Sequence, residues 1–163
     1  MFSHKGPLHI FVNNGLGAKF TIDGDDVLSS SKEQTKCFSY DVSLDIYNAS
    51  NNTRIMRDIQ IRFKSKNEIV KVNVPYDNDK TEGYPPQYYK VGVVNIPPKQ
   101  AIRLNLHNYF WDEDGRFIWD VTSVELLYKI KRRIRIKKLE KVDYSKYTFN
   151  REEQYNGKTK DDV

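Results

Sequence analysis

Phe38-Ser39-Tyr40-Asp41-Val42-Ser43-Leu44-Asp45-Ile46 alternates without a break. Every even position carries an apolar or aromatic side chain, and every odd position carries serine or aspartate. Successive side chains of an extended strand point to opposite faces, so the stretch predicts a strand with one buried and one wet face.

The same rhythm extends on both sides. Ile55, Ile59, Ile61 and Phe63 form a second alternating run with only Arg57 out of step, and Val70, Val72 and Val74 form a third. Further strands are predicted at 88–96, 101–109, 116–121 and 124–138. Ile102, Leu104 and Leu106 share one face of the run at 101–109, as Phe117, Trp119 and Val121 do at 116–121. Polar or proline-rich segments separate the runs: 48–53, then 75–86 with Gly83 and three prolines, then Pro97-Pro98. Asp114-Gly115 suits a tight hairpin turn, since glycine readily takes positive φ. Composition agrees: Ile and Val total 26, against 14 for Leu, Met and Ala together, which favours strands over helices. Seven strands over about 100 residues match the size of an immunoglobulin-like antiparallel β-sandwich. Antibody-type domains bracket a core tryptophan with two cysteines; this chain has one cysteine, so the comparison concerns architecture alone.

Three segments are expected. Residues 1–36 read as an additional N-terminal hairpin with its connecting loop: Leu8, Ile10 and Val12, then Leu16, Ala18, Phe20 and Ile22, flank Asn14-Gly15. An isolated hairpin is marginal, so it is expected to pack on the sandwich of residues 37–139. Residues 140–163 lose the alternation and read as a polar tail.

With 163 residues and a mean hydropathy of −0.74, the chain suits one domain and offers no membrane-spanning apolar run. The apolar stretch at Leu8–Val12 is too short for a signal-peptide core. Asn48-Ala49-Ser50 and Asn51-Asn52-Thr53 are therefore read as a polar turn, and the location as cytoplasmic. The lone Cys37 excludes an internal disulfide and reads as an exposed or half-buried thiol beside Lys36.

Net charge is +5, all of it in the last 40 residues; residues 1–123 balance at zero. If 124–138 is one strand, Lys129, Lys131, Arg133, Arg135 and Lys137 share a face and repeat about every ~7 Å. Such a stripe suits nucleic acid or an acidic membrane surface, whose phosphates release counterions on binding. It equally suits a solvated face that guards an edge.

Aromatic residues concentrate twice. Five rings and four carboxylates lie between Tyr109 and Asp120, and Tyr84, Tyr88 and Tyr89 lie in or near the proline-punctuated loop. Rings give apolar contact at low entropic cost, and carboxylates accept hydrogen bonds. Tyr84, Tyr88, Tyr89, Trp111, Asp112 and Asp114 are the candidate ligand or partner contacts.

No catalytic constellation emerges. Carboxylates on one turn rarely straddle a scissile bond, the three histidines are not a close-spaced ligand set, and no phosphate-binding glycine loop is present. Acidic clusters near Asp23 and Asp112 could hold calcium by chemistry alone, but neither matches a helix–loop–helix pattern. The expectation is a non-enzymatic binding or assembly module acting through protein contacts, without metal or cofactor. Polyanion binding by the basic strand and carbohydrate binding by the aromatic–acidic loop are the alternatives.

Overall fold

The computed structural model describes residues 8–24, 27–112 and 118–139, leaving out the Asn14 side chain. Ten strands run β1 (Leu8–Thr21), β2 (Cys37–Asn48), β3 (Arg54–Ser65), β4 (Val70–Asn73), β5 (Tyr76–Glu82), β6 (Gln87–Lys90), β7 (Val94–Ile96), β8 (Ala101–Trp111), β9 (Val121–Ile130) and β10 (Arg133–Lys138). They form two antiparallel sheets, ordered β1-β2-β8-β5-β6 and β10-β9-β3-β4, with β7 pairing the start of β3.

Between the sheets lies the core that the alternation implied. Phe38, Leu44 and Ile46 of β2 meet Met56, Ile61 and Phe63 of β3, all fully buried. Rings fill its centre: Phe63 lies 5.2 Å from Phe38 and 4.9 Å from Tyr40 between centroids. The Tyr40 hydroxyl donates to Asn73 Oδ1 at 2.7 Å, and burial pushes its pKa up.

The polar turn after β2 is built on a buried side chain. Asn48 Nδ2 donates to the carbonyls of Asn52, Ile96 and Pro97, while its Oδ1 accepts from Ser50 N and Oγ. One amide thus ties β2 to the connection leaving β7.

Five expectations are corrected. The N-terminal hairpin is instead one 14-residue strand, and both halves pair with β2. Gly15, at φ 81°, sits in a bulge between Asn13 and Leu16. Two inserted residues preserve the period of two, so Val12 and Leu16 both face the core.

The loop expected at 75–86 contains β5. Pro75 precedes β5, and Pro85 and Pro86 lie in the turn that joins it to β6. The run at 88–96 divides: β6 stays in the first sheet, and β7 joins the second. Of the run expected at 116–121, residues 118–120 are not strand, Val121 begins β9, and the rest lies outside the described residues, as does the Asp114-Gly115 turn.

The long basic strand is a hairpin. Ile130 pairs Met56 near the start of β3, where the second sheet's core ends, and the chain reverses at Lys131-Arg132 with Lys131 at φ 55°. Arg132, which broke the alternation, marks the turn. The tail 140–163 lies outside the described residues.

Candidate functional site

The outer face of the first sheet is a row-by-row consequence of register. Odd positions of β2 face outward, and pairing sets Asp41 beside Gly17 on one side and His107 on the other, with Tyr76 beyond His107. The next row aligns Lys19, Ser39 and Tyr109; on the other side Asn13, Ser43 and Asn105 align.

Gly17 shapes the centre. A Cβ there would lie 2.6 Å from Asp41 Oδ1, so glycine leaves room for the carboxylate. An open hollow of about 870 Å³ follows, walled by Tyr76, Tyr88 and Tyr109 with Asp41 and His107 on its floor. A second, of about 430 Å³, shares Gly17 and Asp41 and reaches Ser43, Asn105 and Arg103. Together they make one groove along the strands, about ~20 Å from residue 103 to residue 109 of β8.

Its side chains are held in place. His107 stacks on Tyr76 at 5.4 Å and meets Tyr88 edge-on at 4.7 Å. A bulge in β5 brings Asn78 and Asp79 against β8: His107 Nδ1 bonds to Asn78 Oδ1, and Asn105 Nδ2 donates to Asp79 Oδ2 at 3.1 Å. Ser43 Oγ donates to Asn105 Oδ1 at 2.7 Å. Burial lowers the His107 pKa below 6.5, against a smaller opposing effect of the Asp41 charge. Arg103 grips Asp45 at 2.7 and 3.2 Å, and that bond holds the Asp45 carboxyl below its usual value. Ser39 Oγ, in the same groove, has no hydrogen-bond partner among the described residues.

Of the residues singled out from sequence, Tyr88 lines the groove directly. Trp111 stands at its end, edge-on to Tyr109 at 5.8 Å and packed against Gly24. Gly24 is required there, since its φ is +89° and a Cβ would come within 2.7 Å of the indole. Tyr84 is 99% exposed at the β5–β6 turn, and the Tyr89 hydroxyl donates to Glu82 at 2.6 Å; neither lines the groove. Asp112 is half-buried, with its amide bonded to the Lys36 carbonyl and Oδ1 unpartnered among the described residues. Asp114 lies outside the described residues.

The five cations do not share a face. Arg133, Arg135 and Lys137 pair with Ile130, Tyr128 and Leu126 and so take the inward phase of β10. Lys129 takes the opposite phase, 3.2 Å from Asp58, and Lys131 is in the turn. The reversal also leaves Ile134 and Ile136 exposed rather than core-facing. Cys37 is fully buried, in register between Thr21 and Trp111, rather than exposed or half-buried.

Sequence reasoning missed Gly17, Asp41, Tyr76, His107 and Tyr109 as one group. The available signal was the outward phase of two strands already recognised; what it lacked was their register. Among the described residues no cluster of three or more His, Cys, Asp or Glu is placed to hold a metal ion, and no helix is long and apolar enough to cross a membrane.

Residues 18–142 match the family model of the YopI Ig-like domain, and the chain belongs to that family. Its fold is accordingly an immunoglobulin-like β-sandwich. A solved uncharacterized β-sandwich protein from Clostridium difficile 630 is similar at 14% identity and a TM-score of 0.41, over 82% of this chain and 85% of that one. No curated protein matches.

Proposed function

We propose that this member of the YopI Ig-like domain family is a non-enzymatic binding module whose contact surface is the outer face of the first sheet. The groove shared by Gly17, Asp41, His107, Tyr88 and Tyr109 is the observation that carries this reading. It combines ring surface with oriented polar groups, the usual make-up of a ligand-binding concavity. Its backbone groups are committed to the sheet, and Ser43, Asn105, His107 and Arg103 are held by hydrogen bonds, so little ordering is needed on binding.

Catalysis finds less support. His107 shares its Nδ1 with an amide oxygen rather than a nucleophile, and its ring is packed between two tyrosines. Asp45 is neutralised by Arg103. An extended peptide from a protein partner and a sugar chain are the two ligand classes that such a groove suits.

Display of the chain against a peptide library and a glycan array, in parallel with a Tyr88→Ala/Tyr109→Ala variant, tests the reading. The expected result is a ligand retained by the wild type, lost by the variant and recovered chemically intact by mass spectrometry. Ligands held equally by both proteins, or recovered cleaved, would contradict it.

A further inference from the structure

We infer that the groove's ligand is a neutral carbohydrate chain, an assignment that rests on the groove being the binding surface. Charge narrows the choice first. Arg103 is neutralised by Asp45, and the other charged side chains of the lining are one of each sign, Lys19 and Asp41, so the wall carries no excess of either. Burial keeps His107 toward its neutral form. A polyanion or a strongly charged peptide gains nothing from such a wall.

Shape and hydrogen-bonding chemistry narrow it further. An extended peptide binds a sheet best along an edge, where unpaired backbone groups continue the ladder. This groove lies on a face whose strands are already paired on both sides through β2 and β8. A sugar ring has an apolar C–H face and a rim of hydroxyls that both donate and accept. Tyr88 and Tyr109, about two-fifths exposed, offer rings for the former.

The hydroxyl rim is matched by planar or bifunctional groups: the Asp41 carboxylate, the Asn105 amide and the remaining donors of Arg103. The Ser43–Asn105–Asp79 chain fixes the amide's orientation before any ligand arrives. Rings gather at the Tyr109 end and hydrogen-bonding groups at the Arg103 end, which suits several linked sugar units rather than a single one.

The test uses the full chain in calorimetric titrations with soluble neutral gluco-, xylo-, manno- and chito-oligosaccharides. Sulfated oligosaccharides and an extended-peptide library are the comparison arms. Tyr109→Ala and Asn105→Ala each remove one contact, and Gly17→Ala displaces the Asp41 carboxylate without deleting it. Thermal melts of all three establish that they fold.

A neutral oligosaccharide should bind the wild type, and each folded variant should weaken it about tenfold, the worth of one well-placed contact. The inference is overturned if none of the neutral sugars binds, if the folded variants bind as the wild type does, or if sulfated sugars alone bind. Peptide binding lost in Tyr109→Ala would overturn the carbohydrate assignment and leave the binding surface standing. Failure of every ligand class would overturn both.

Discussion

The two outer faces of this sandwich are built from the same strand alternation and finish in opposite states. On the second sheet, Glu125 sits between Arg62 and Lys64 at 3.0 and 3.2 Å, and Lys129 reaches Asp58. Three cations and both anions of that face are engaged with one another there, between exposed Val70 and Val72 on one edge and Ile134 and Ile136 on the other. On the first sheet a glycine replaces a side chain at the centre, rings stand at one end, and polar groups are oriented by neighbours without exhausting their capacity. The difference shows that binding potential on a sheet depends less on which polar residues face outward than on whether register hands them partners.

The largest effect is expected where both faces depend on one residue. Asn48→Ala removes five hydrogen-bond connections at a buried turn linking the sheets and should cost about 2–4 kcal/mol in urea unfolding. Both faces should be lost in one transition. An earlier transition confined to either sheet would break the premise that they share a single core.

Gly24→Ala acts on one face only. It forces a side chain onto a positive-φ position and against the Trp111 ring, so about 1–3 kcal/mol is expected, with a shift in indole fluorescence. Unchanged fluorescence would mean that the 22–24 turn does not hold Trp111 at the groove's end.

Glu125→Gln tests the other face. Ion pairs at a partly exposed surface contribute little, so about 1 kcal/mol or less is expected, with ligand binding to the groove unaltered. Burial alone would raise the Glu125 pKa, but hydrogen bonds and charge from Lys64 and Arg62 outweigh it and hold it below 4.5. The unfolded chain therefore binds this proton more readily. The stability the carboxylate contributes is present above about pH 4.5 and lost as pH falls through its lower native value, a loss the glutamine variant should lack.

The smallest effect concerns His107. Its native pKa lies below 6.5, so the unfolded state takes up this proton first as the solution is acidified. Its contribution is complete above pH 6.5 and declines as pH falls toward the native value. An NMR titration should place the imidazole midpoint below 6.5; a midpoint above it would mean that the Asp41 charge outweighs burial.

Much of the fold was legible because period-two alternation reports burial directly. Phe38 to Ile46 and Ile102 to Leu106 needed no further information. The failures occur where local signals admit two long-range outcomes. Asn14-Gly15 fits both a hairpin turn and a bulge, and what decides is whether β2 is long enough to pair with both halves. Arg132 interrupts an otherwise continuous strand pattern, and only the pairing of Ile130 with Met56, near the start of β3, shows that the chain must reverse there. The groove was illegible for a related reason: Gly17, Asp41 and His107 are far apart in sequence and become neighbours through two registers. Local clustering favoured Tyr84 and Tyr89, which lie close in sequence to Tyr88 but outside the groove.

The central claim, that binding belongs to the first sheet's outer face, is tested most directly by amide chemical-shift mapping. Titrating the labelled chain with a mixture of soluble neutral oligosaccharides should move the signals of Gly17, Asp41, Asn105, His107 and Tyr109 and leave Arg62, Glu125 and Lys129 unmoved. Shifts centred on β3 and β9, or none on either face, would contradict it.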